Sequence, residues 1–319
     1  MGTVLAMLLC EKTIPVRIWG YDSNQLKQIQ EAGENKKFLP GYRLPEELLF
    51  EARDECIMDG ADLIISAVPC QFMRNIWNRL KKYFPSDTAV VSVTKGIENG
   101  TLLRPVQILA ELLGEGSRLA VLSGPTIADE LARKLPATSC AASEDKDLAA
   151  AIQQTFSTDW LRVYTNTDVV GVELAGAMKN VIAIAAGIVD GTGAGNNAKA
   201  ALLSRGLAEI TRLGVAMGAK PQTFAGLTGL GDLVTTCISP KGRNRSFGER
   251  IGQGQSVKQA ENSTESVIEG AATCKSVCEL AQRYNIEMPI TQAVFEIIFE
   301  GKSVQKAVCD LMKRQLKAE

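Results

Sequence analysis

The chain has 319 residues, 45% of them hydrophobic and 22% charged, with a net charge of −1. That balance describes a folded globular protein large enough for two cores; it excludes a disordered or membrane-embedded chain and offers no basic surface for nucleic acid or lipid. Histidine is absent, which removes Ser-His-Asp triads, Cys-His dyads and histidine metal sites and leaves proton transfer to Lys, Asp, Glu, Tyr or Cys.

The eight cysteines form no CxxC pair, and Cys274 and Cys278, one helical turn apart, read as core. This usage points to free thiols in a reducing cytoplasm and to no metal site. The longest apolar run, Val181 to Val189, is about half the roughly 20 residues that span a bilayer, and no basic stretch opens the chain, so neither a membrane span nor a signal peptide is expected.

In chain order, Met1 to Leu9 reads as a helix opening on Gly2, and Val16 to Gly20 as a buried strand running into Tyr21-Asp22. An acidic strand end about 20 positions after a helix-opening glycine is the second half of a dinucleotide-binding βαβ unit. The first half, a strand and a G-x-G-x-x-G turn, is lacking, and only the counterpart of its last glycine, Gly2, is present. Asp62 to Val68 is the next strand, followed by a helix over Gln71 to Tyr83; Ala89 to Val93 is a strand leading into Thr94-Lys95-Gly96. Leu119 to Leu122 is a strand leading into Ser123-Gly124-Pro125-Thr126 and a helix through Arg133, and two shorter strands lie near Ala137 to Ala142 and Leu161 to Thr165. The alternation predicts an α/β fold: a parallel, doubly wound, Rossmann-type sheet without its first strand, with ligands beyond the carboxyl ends of the strands. Lys95 and the Gly124-Pro125-Thr126 helix start fall there, where a proline just inside a helix leaves free amides beside it to hold phosphate or carboxylate. A plain turn and a solvated lysine are the competing readings.

From Thr167 onward the pattern is helical, with apolar periodic segments at 170–189, 197–217, 274–284 and 289–299. The expected domains are a dinucleotide-binding domain over 1–166 and an all-α domain over 167–319. In the first of these segments Lys179 and Asn180 are the only polar residues after Glu173, and Lys179 shares a helix face with Val172, Ala175, Gly176, Ile182, Ala183 and Ala186. Burial there would lower the amine's pKa and fit it for proton exchange near neutral pH; the alternative is a snorkelling lysine with its head in water. Two polar constellations follow. Thr228 to Thr236 sets Asp232 between apolar residues, as a functional carboxylate or as an ordinary helix-capping Asp. Lys241-Gly242-Arg243-Asn244-Arg245 is a basic loop that can grip phosphate or lie solvated on the surface.

Together these residues resemble the NAD(P)-dependent glycerol-3-phosphate dehydrogenases of the bacterial and plastid type. The resemblance runs in family order through WGYD at 19–22, NKKFLPG at 35–41, TKGIE at 94–98, SGPTIADE at 123–130, GVELAGAMKNVIAIAAGI at 171–188, TRLG at 211–214, GLGDLVTTC at 229–237, GRNRSFGERIGQG at 242–254, VIEG at 267–270 and EMPIT at 287–291. It implies a cytoplasmic oxidoreductase that interconverts dihydroxyacetone phosphate and sn-glycerol 3-phosphate with NAD or NADP for phospholipid synthesis, on an architecture in which a homodimer is common. By position it implies Lys179 as general acid/base, with Lys95 and Asp232 beside it. Substrate contacts would come from Lys95, Gly124, Thr126, Lys179, Asp232, Gly242, Arg243 and Asn244, and cofactor contacts from Gly2, Tyr21, Lys95, Ala128, Arg243, Val267 and Glu269.

Three departures qualify the match. The family's first strand and most of its glycine-rich turn are lacking, which implies a truncated sequence or impaired cofactor binding. Gly242 stands where many members have serine. Tyr21 stands where NADP-preferring members carry Arg or His, and Asp22 favours a free 2′-hydroxyl, which implies tolerance of NAD. Two other readings remain at this point: a 3-hydroxyacid or ketopantoate-type reductase on the same plan, against which the arginine loop argues, and a non-catalytic homologue without the nucleotide cradle.

Overall fold

The computed structural model describes residues 1–114, 116–263 and 267–316. The chain forms two compact units, one comprising Met1–Thr94 and Pro105–Val169, the other Lys95–Arg104 and Val170–Glu319. It thus leaves the first unit at Lys95, returns at Pro105 and leaves again after Val169, an excursion that a single boundary at 166/167 does not contain.

The first unit opens with helix α1 (Gly2–Glu11), β1 (Arg17–Ile18), α2 (Ser23–Ala32), β2 (Leu49–Phe50), β3 (Leu63–Ser66), α3 (Cys70–Leu80) and β4 (Ala89–Ser92). After the excursion come α4 (Pro105–Leu113), β5 (Leu119–Ser123), α5 (Ala128–Ala132), β6 (Ala137–Ala142), α6 (Lys146–Phe156) and β7 (Leu161–Asn166). The strands make two separate sheets, a parallel pair β1-β2 and a five-stranded sheet in the order β3-β4-β5-β6-β7. Among the described residues no strand bridges β1 to the larger sheet. With a partner on one side only, the expected strand over Val16 to Gly20 shrinks to two residues, of which Arg17 is exposed and Ile18 half-buried.

The expected all-parallel order fails at one step: β5 and β6 pair antiparallel, Val121 with Ala142 and Ser123 with Cys140. The cause is the link between them. Its helix α5 has 5 residues, about 7.5 Å of length, whereas returning alongside a strand the length of β5 needs roughly 16 Å. The chain therefore turns back, while the 11-residue α6 carries β6 into a parallel β7. Pro125 is also not inside a helix, because α5 begins at Ala128. Val4, Leu5, Leu8 and Leu9 of α1 pack with Val91, Ala120, Leu122 and Phe156 in the core of this unit.

The second unit is helical: α7 (Val169–Gly191), α8 (Gly195–Ala216), α9 (Pro221–Ala225), a π-helical turn over Leu227–Gly231, α10 (Asp232–Ile238), α11 (Arg243–Gly252), α12 (Val257–Asn262), α13 (Glu269–Arg283), α14 (Pro289–Phe299) and α15 (Val304–Met312). Helix α7 is apolar all round, as a helix at the centre of a core must be, and every residue from Gly171 to Ile188 is buried. It has the length and hydropathy to cross a membrane, yet 94% of that window lies inside the protein, which identifies a core helix.

Helix α11 lies against α7 with backbone touching backbone. A Cβ on Gly248 would stand 2.0 Å from the Ile184 carbonyl oxygen, one on Gly252 2.5 Å from that of Ile188, and one on Gly187 1.9 Å from that of Arg245. The two helices therefore run in step. The contacts advance together along both helices, which therefore run parallel, with the start of α11 about one turn beyond Lys179 along α7.

The excursion Lys95–Arg104 is anchored in this unit by Ile97, fully buried in its core. Ser276 of α13 lies 3.2 Å from the Ile97 carbonyl oxygen and 2.6 Å from Asn99 Oδ1. A buried ion pair joins Arg104 to Glu173 of α7. Gly248→Ala is expected to destabilise the protein by roughly 1–3 kcal/mol or more, the cost of overpacking a contact that has no flexible side chain to move. Urea denaturation of the variant beside the parent measures it.

Candidate active site

Asp232 organises the site. A helix-capping role is ruled out by its position: the π-helical turn runs directly into α10, Gly231 before it has helical dihedrals, and its carboxylate makes no cap bond. The turn depends on Gly229, where a Cβ would sit 2.0 Å from the Phe224 carbonyl oxygen, so the glycines of this motif bring backbone against backbone of α9. Extra residues wound into a helix re-aim the side chains that follow, and here they direct Asp232 inward, where it is 1% exposed.

Its two oxygens hold two ammonium groups. Lys179 Nζ donates to Oδ1 at 2.6 Å and Lys95 Nζ to Oδ2 at 2.6 Å. Lys179 also donates to Thr236 Oγ1, one turn along α10, whose hydroxyl lies 3.4 Å from Asp232 Oδ1. The Lys179 amine is accordingly buried in place and does not snorkel, and Lys95 is drawn into the same cluster with its side chain 17% exposed. Burial is the main cause that lowers the Lys179 pKa to about 8; Asp232 opposes that shift and the Lys95 charge adds to it.

The start of α13 borders the same charges. Burial pushes the Glu269 carboxyl up, against the pull of Arg243, Lys95 and Lys179, which places a carboxyl within electrostatic reach of three cations. The Gly270 amide donates to Asn244 Oδ1 at 3.1 Å, and a Cβ on Gly270 would come 2.6 Å from the Asn180 carbonyl oxygen. Asn244 therefore ties α11 to α13 beside the residue that follows Lys179. The basic stretch is a helix start: Gly242 is the residue before α11, and Arg243, Asn244 and Arg245 form its first turn. Arg243 is exposed, while Arg245 turns away to Asp190 at 2.6 Å. A Cβ on Gly242 would meet the Thr236 and Ser239 carbonyl oxygens at 3.1 and 3.2 Å, so a serine would require a small local shift.

Thr236 is a contact that sequence reading passes over. It sits one helical turn from Asp232, and that spacing is its signal.

The remaining expected residues are placed as follows. Val267 is exposed, just before α13. In the first unit Gly2 opens α1, Tyr21 is 72% exposed after β1, and Ala128 opens α5. Gly124 is buried with φ +147°, and its Cβ would lie 3.0 Å from Ser139 Cα, so the turn after β5 requires glycine. Thr126 Oγ1 donates back to the Gly124 carbonyl oxygen at 3.2 Å. Two surface cavities of about 330 and 350 Å³ in the second unit touch none of Lys179, Lys95 and Asp232; buried charge, not cavity size, marks the site.

The depressed Lys179 pKa has a signature in stability. Below pH 8 the amine is protonated in both states; between about 8 and the ordinary lysine value of 10.5 only the unfolded chain keeps the proton, so stability rises with pH across that window. Lys179→Met should flatten the rise, as measured by denaturant unfolding at pH 7.5, 9 and 10.

Comparison with known proteins finds two family models. The N-terminal one of the NAD-dependent glycerol-3-phosphate dehydrogenases matches residues 1–149 and the C-terminal one residues 168–309. A glycerol-3-phosphate dehydrogenase (NAD(P)+) from Desulfotalea psychrophila is 45% identical over 100% of this chain and 95% of that protein. The crystal structure of glycerol-3-phosphate dehydrogenase from Coxiella burnetii superposes with a TM-score of 0.95 at 38% identity, covering 98% of this chain and 96% of the other. A ketopantoate reductase from Ralstonia eutropha shares the fold alone, with a TM-score of 0.60 at 14% identity over 92% of both chains.

Proposed function

We propose that the buried cluster of Lys179, Asp232 and Lys95 carries the proton transfer of a glycerol-3-phosphate dehydrogenase, because this chain belongs to the NAD-dependent glycerol-3-phosphate dehydrogenase family. The protein is an NAD(P)-dependent oxidoreductase that interconverts dihydroxyacetone phosphate and sn-glycerol 3-phosphate, a step that supplies glycerophospholipid synthesis. The ketopantoate-type and non-catalytic alternatives are not favoured: the first shares only the fold, and the relatives that match the full chain are named as dehydrogenases.

The first unit has features that fit a dinucleotide. No side chain caps the start of α1, and such a helix start suits a pyrophosphate. A Cβ on Gly2 would meet Ala67 at 3.1 Å, the close helix–strand packing for which such a motif keeps a glycine. When bound, the nicotinamide ring supplies or accepts the hydride. The residues assigned to it are Gly2, Tyr21 and Ala128 from the first unit and Lys95, Arg243, Val267 and Glu269 from the second.

One observation carries the mechanism: a single carboxylate shared by two ammonium groups, one of them fully buried. Lys179, held by Asp232 and Thr236, gives its proton to the ketone oxygen of dihydroxyacetone phosphate as charge gathers there, and takes it back in the oxidative direction. A pKa of about 8 lets it do both near neutral pH. Lys95, on the other oxygen of Asp232, sets a second amine beside the same site. Arg243, at the start of α11 with Gly242 and Asn244, receives the phosphate; Gly124 and Thr126 of the first unit are the further positions that the family resemblance assigns to substrate. We also assign the enzyme to the cytoplasm and to a homodimer, by analogy with its bacterial relatives and its architecture.

Lys179→Ala is expected to lower kcat by about 10²–10⁴ with KM little changed, assayed as NAD(P)H oxidation with dihydroxyacetone phosphate and with dihydroxyacetone. Turnover of the unphosphorylated ketone at a similar rate, or near-normal kcat in the variant, would refute the assignment. Arg243→Ala should chiefly raise the KM for dihydroxyacetone phosphate, by about 10-fold or more, as loss of a charged hydrogen bond predicts.

A further inference from the structure

The carboxyl ends of β1 and β2 and the last turn of α3 meet in a cluster of which the reading above uses only Tyr21. Beyond β1, Trp19 donates its indole Nε1–H to Asp54 Oδ1 at 3.0 Å. Asp54 follows β2 and takes Arg79 of α3 along one edge of the guanidinium, Nη2 to Oδ1 at 2.7 Å and Nε to Oδ2. The guanidinium carbon lies 5.4 Å from the centre of the Trp19 ring and 5.8 Å from that of Tyr21. The other strand-end carboxylate is committed as well, since Asp22 Oδ1 accepts the amides of Asn24 and Gln25 at 2.9 and 3.2 Å and caps α2.

In a dinucleotide-binding unit the end of the second strand faces the adenosine ribose. A carboxylate there receives the 2′-hydroxyl of NAD, or an arginine nearby receives the 2′-phosphate of NADP. This chain places an arginine at that position and then satisfies it. Asp54 occupies the Nε/Nη2 edge, the bidentate face that recognises phosphate best, and balances the charge. A 2′-phosphate entering here would meet a guanidinium whose charge Asp54 already balances, and the Asp22 carboxylate at the same strand end. A 2′-hydroxyl carries no charge to be repelled.

We propose that Asp54 sets the nucleotide preference of this enzyme: by holding Arg79 it makes the strand-end site select NADH over NADPH, and Arg79 becomes a 2′-phosphate receptor only when Asp54 is removed. This rests on the dinucleotide-binding reading of the first unit. Asp54 is a selectivity residue acting through Arg79, so the two substitutions must have opposite signs. Asp54→Asn releases the guanidinium; Arg79→Gln leaves Asp54 unbalanced.

The test is fluorescence titration of NADH and NADPH into the parent, Asp54→Asn, Arg79→Gln and the double variant. The parent should bind NADH more tightly. Asp54→Asn should move the ratio of dissociation constants toward NADPH by about tenfold, Arg79→Gln should move it several-fold toward NADH, and the double variant should lose the gain of Asp54→Asn. If Asp54→Asn fails to fold, the shift in Arg79→Gln decides alone. A parent that prefers NADPH, ratios within twofold of the parent, or shifts of the same sign in both single variants would overturn the proposal while leaving dinucleotide binding intact. Failure of the parent to bind either nucleotide would overturn the binding reading and this inference with it.

Discussion

The structure of the second unit depends on one carboxylate that serves two lysines. A buried ammonium without a partner is costly, and removing one member of a buried pair typically costs about 3–5 kcal/mol. Asp232 relieves both Lys179 and Lys95, each at 2.6 Å from one of its oxygens. Two cations share that one anion, and burial first, with the Lys95 charge second, disfavours the proton on Lys179. The paired cations suit an anionic ligand, and the burial suits a proton donor that releases easily.

The rest of the unit is built to hold that carboxylate and its partners in place. Lys95 reaches it because the chain quits the first unit for ten residues and is pinned by Ile97, Ser276 and the Arg104–Glu173 pair. Asp232 itself is turned inward because a π-helical turn precedes α10. Lys179 stands on a buried helix, its face shared with Ala175, Gly176, Ala183 and Ala186 as well as Val172 and Ile182, and its amine is held by Asp232 and Thr236.

Much of this was legible in the sequence. The 3.6-residue periodicity around Lys179 revealed both the buried helix and the polar residue inside it, and the alternation of strands and helices gave the α/β first unit. What periodicity missed has physical causes. A π turn breaks the 3.6 repeat on which the reading relies, so Asp232 could not be told from a capping aspartate. The basic stretch looked like a loop because Gly242 and the charged residues mask a helix start whose apolar stripe begins only at Phe247. The reversal between β5 and β6 is set by the brevity of α5, and the register that sets α11 against α7 is written in glycines, which carry no hydropathy signal.

That register has a consequence for which substrates fit. Two helices whose backbones touch cannot slide or part without losing contact along their whole length, so the base of the proton-bearing side chain and the base of the exposed arginine stand at a fixed separation, like the jaws of a calliper. On the assignment proposed above, the backbone would therefore fix where carbonyl and phosphate are received, and the reach of the arginine side chain would supply the latitude between them.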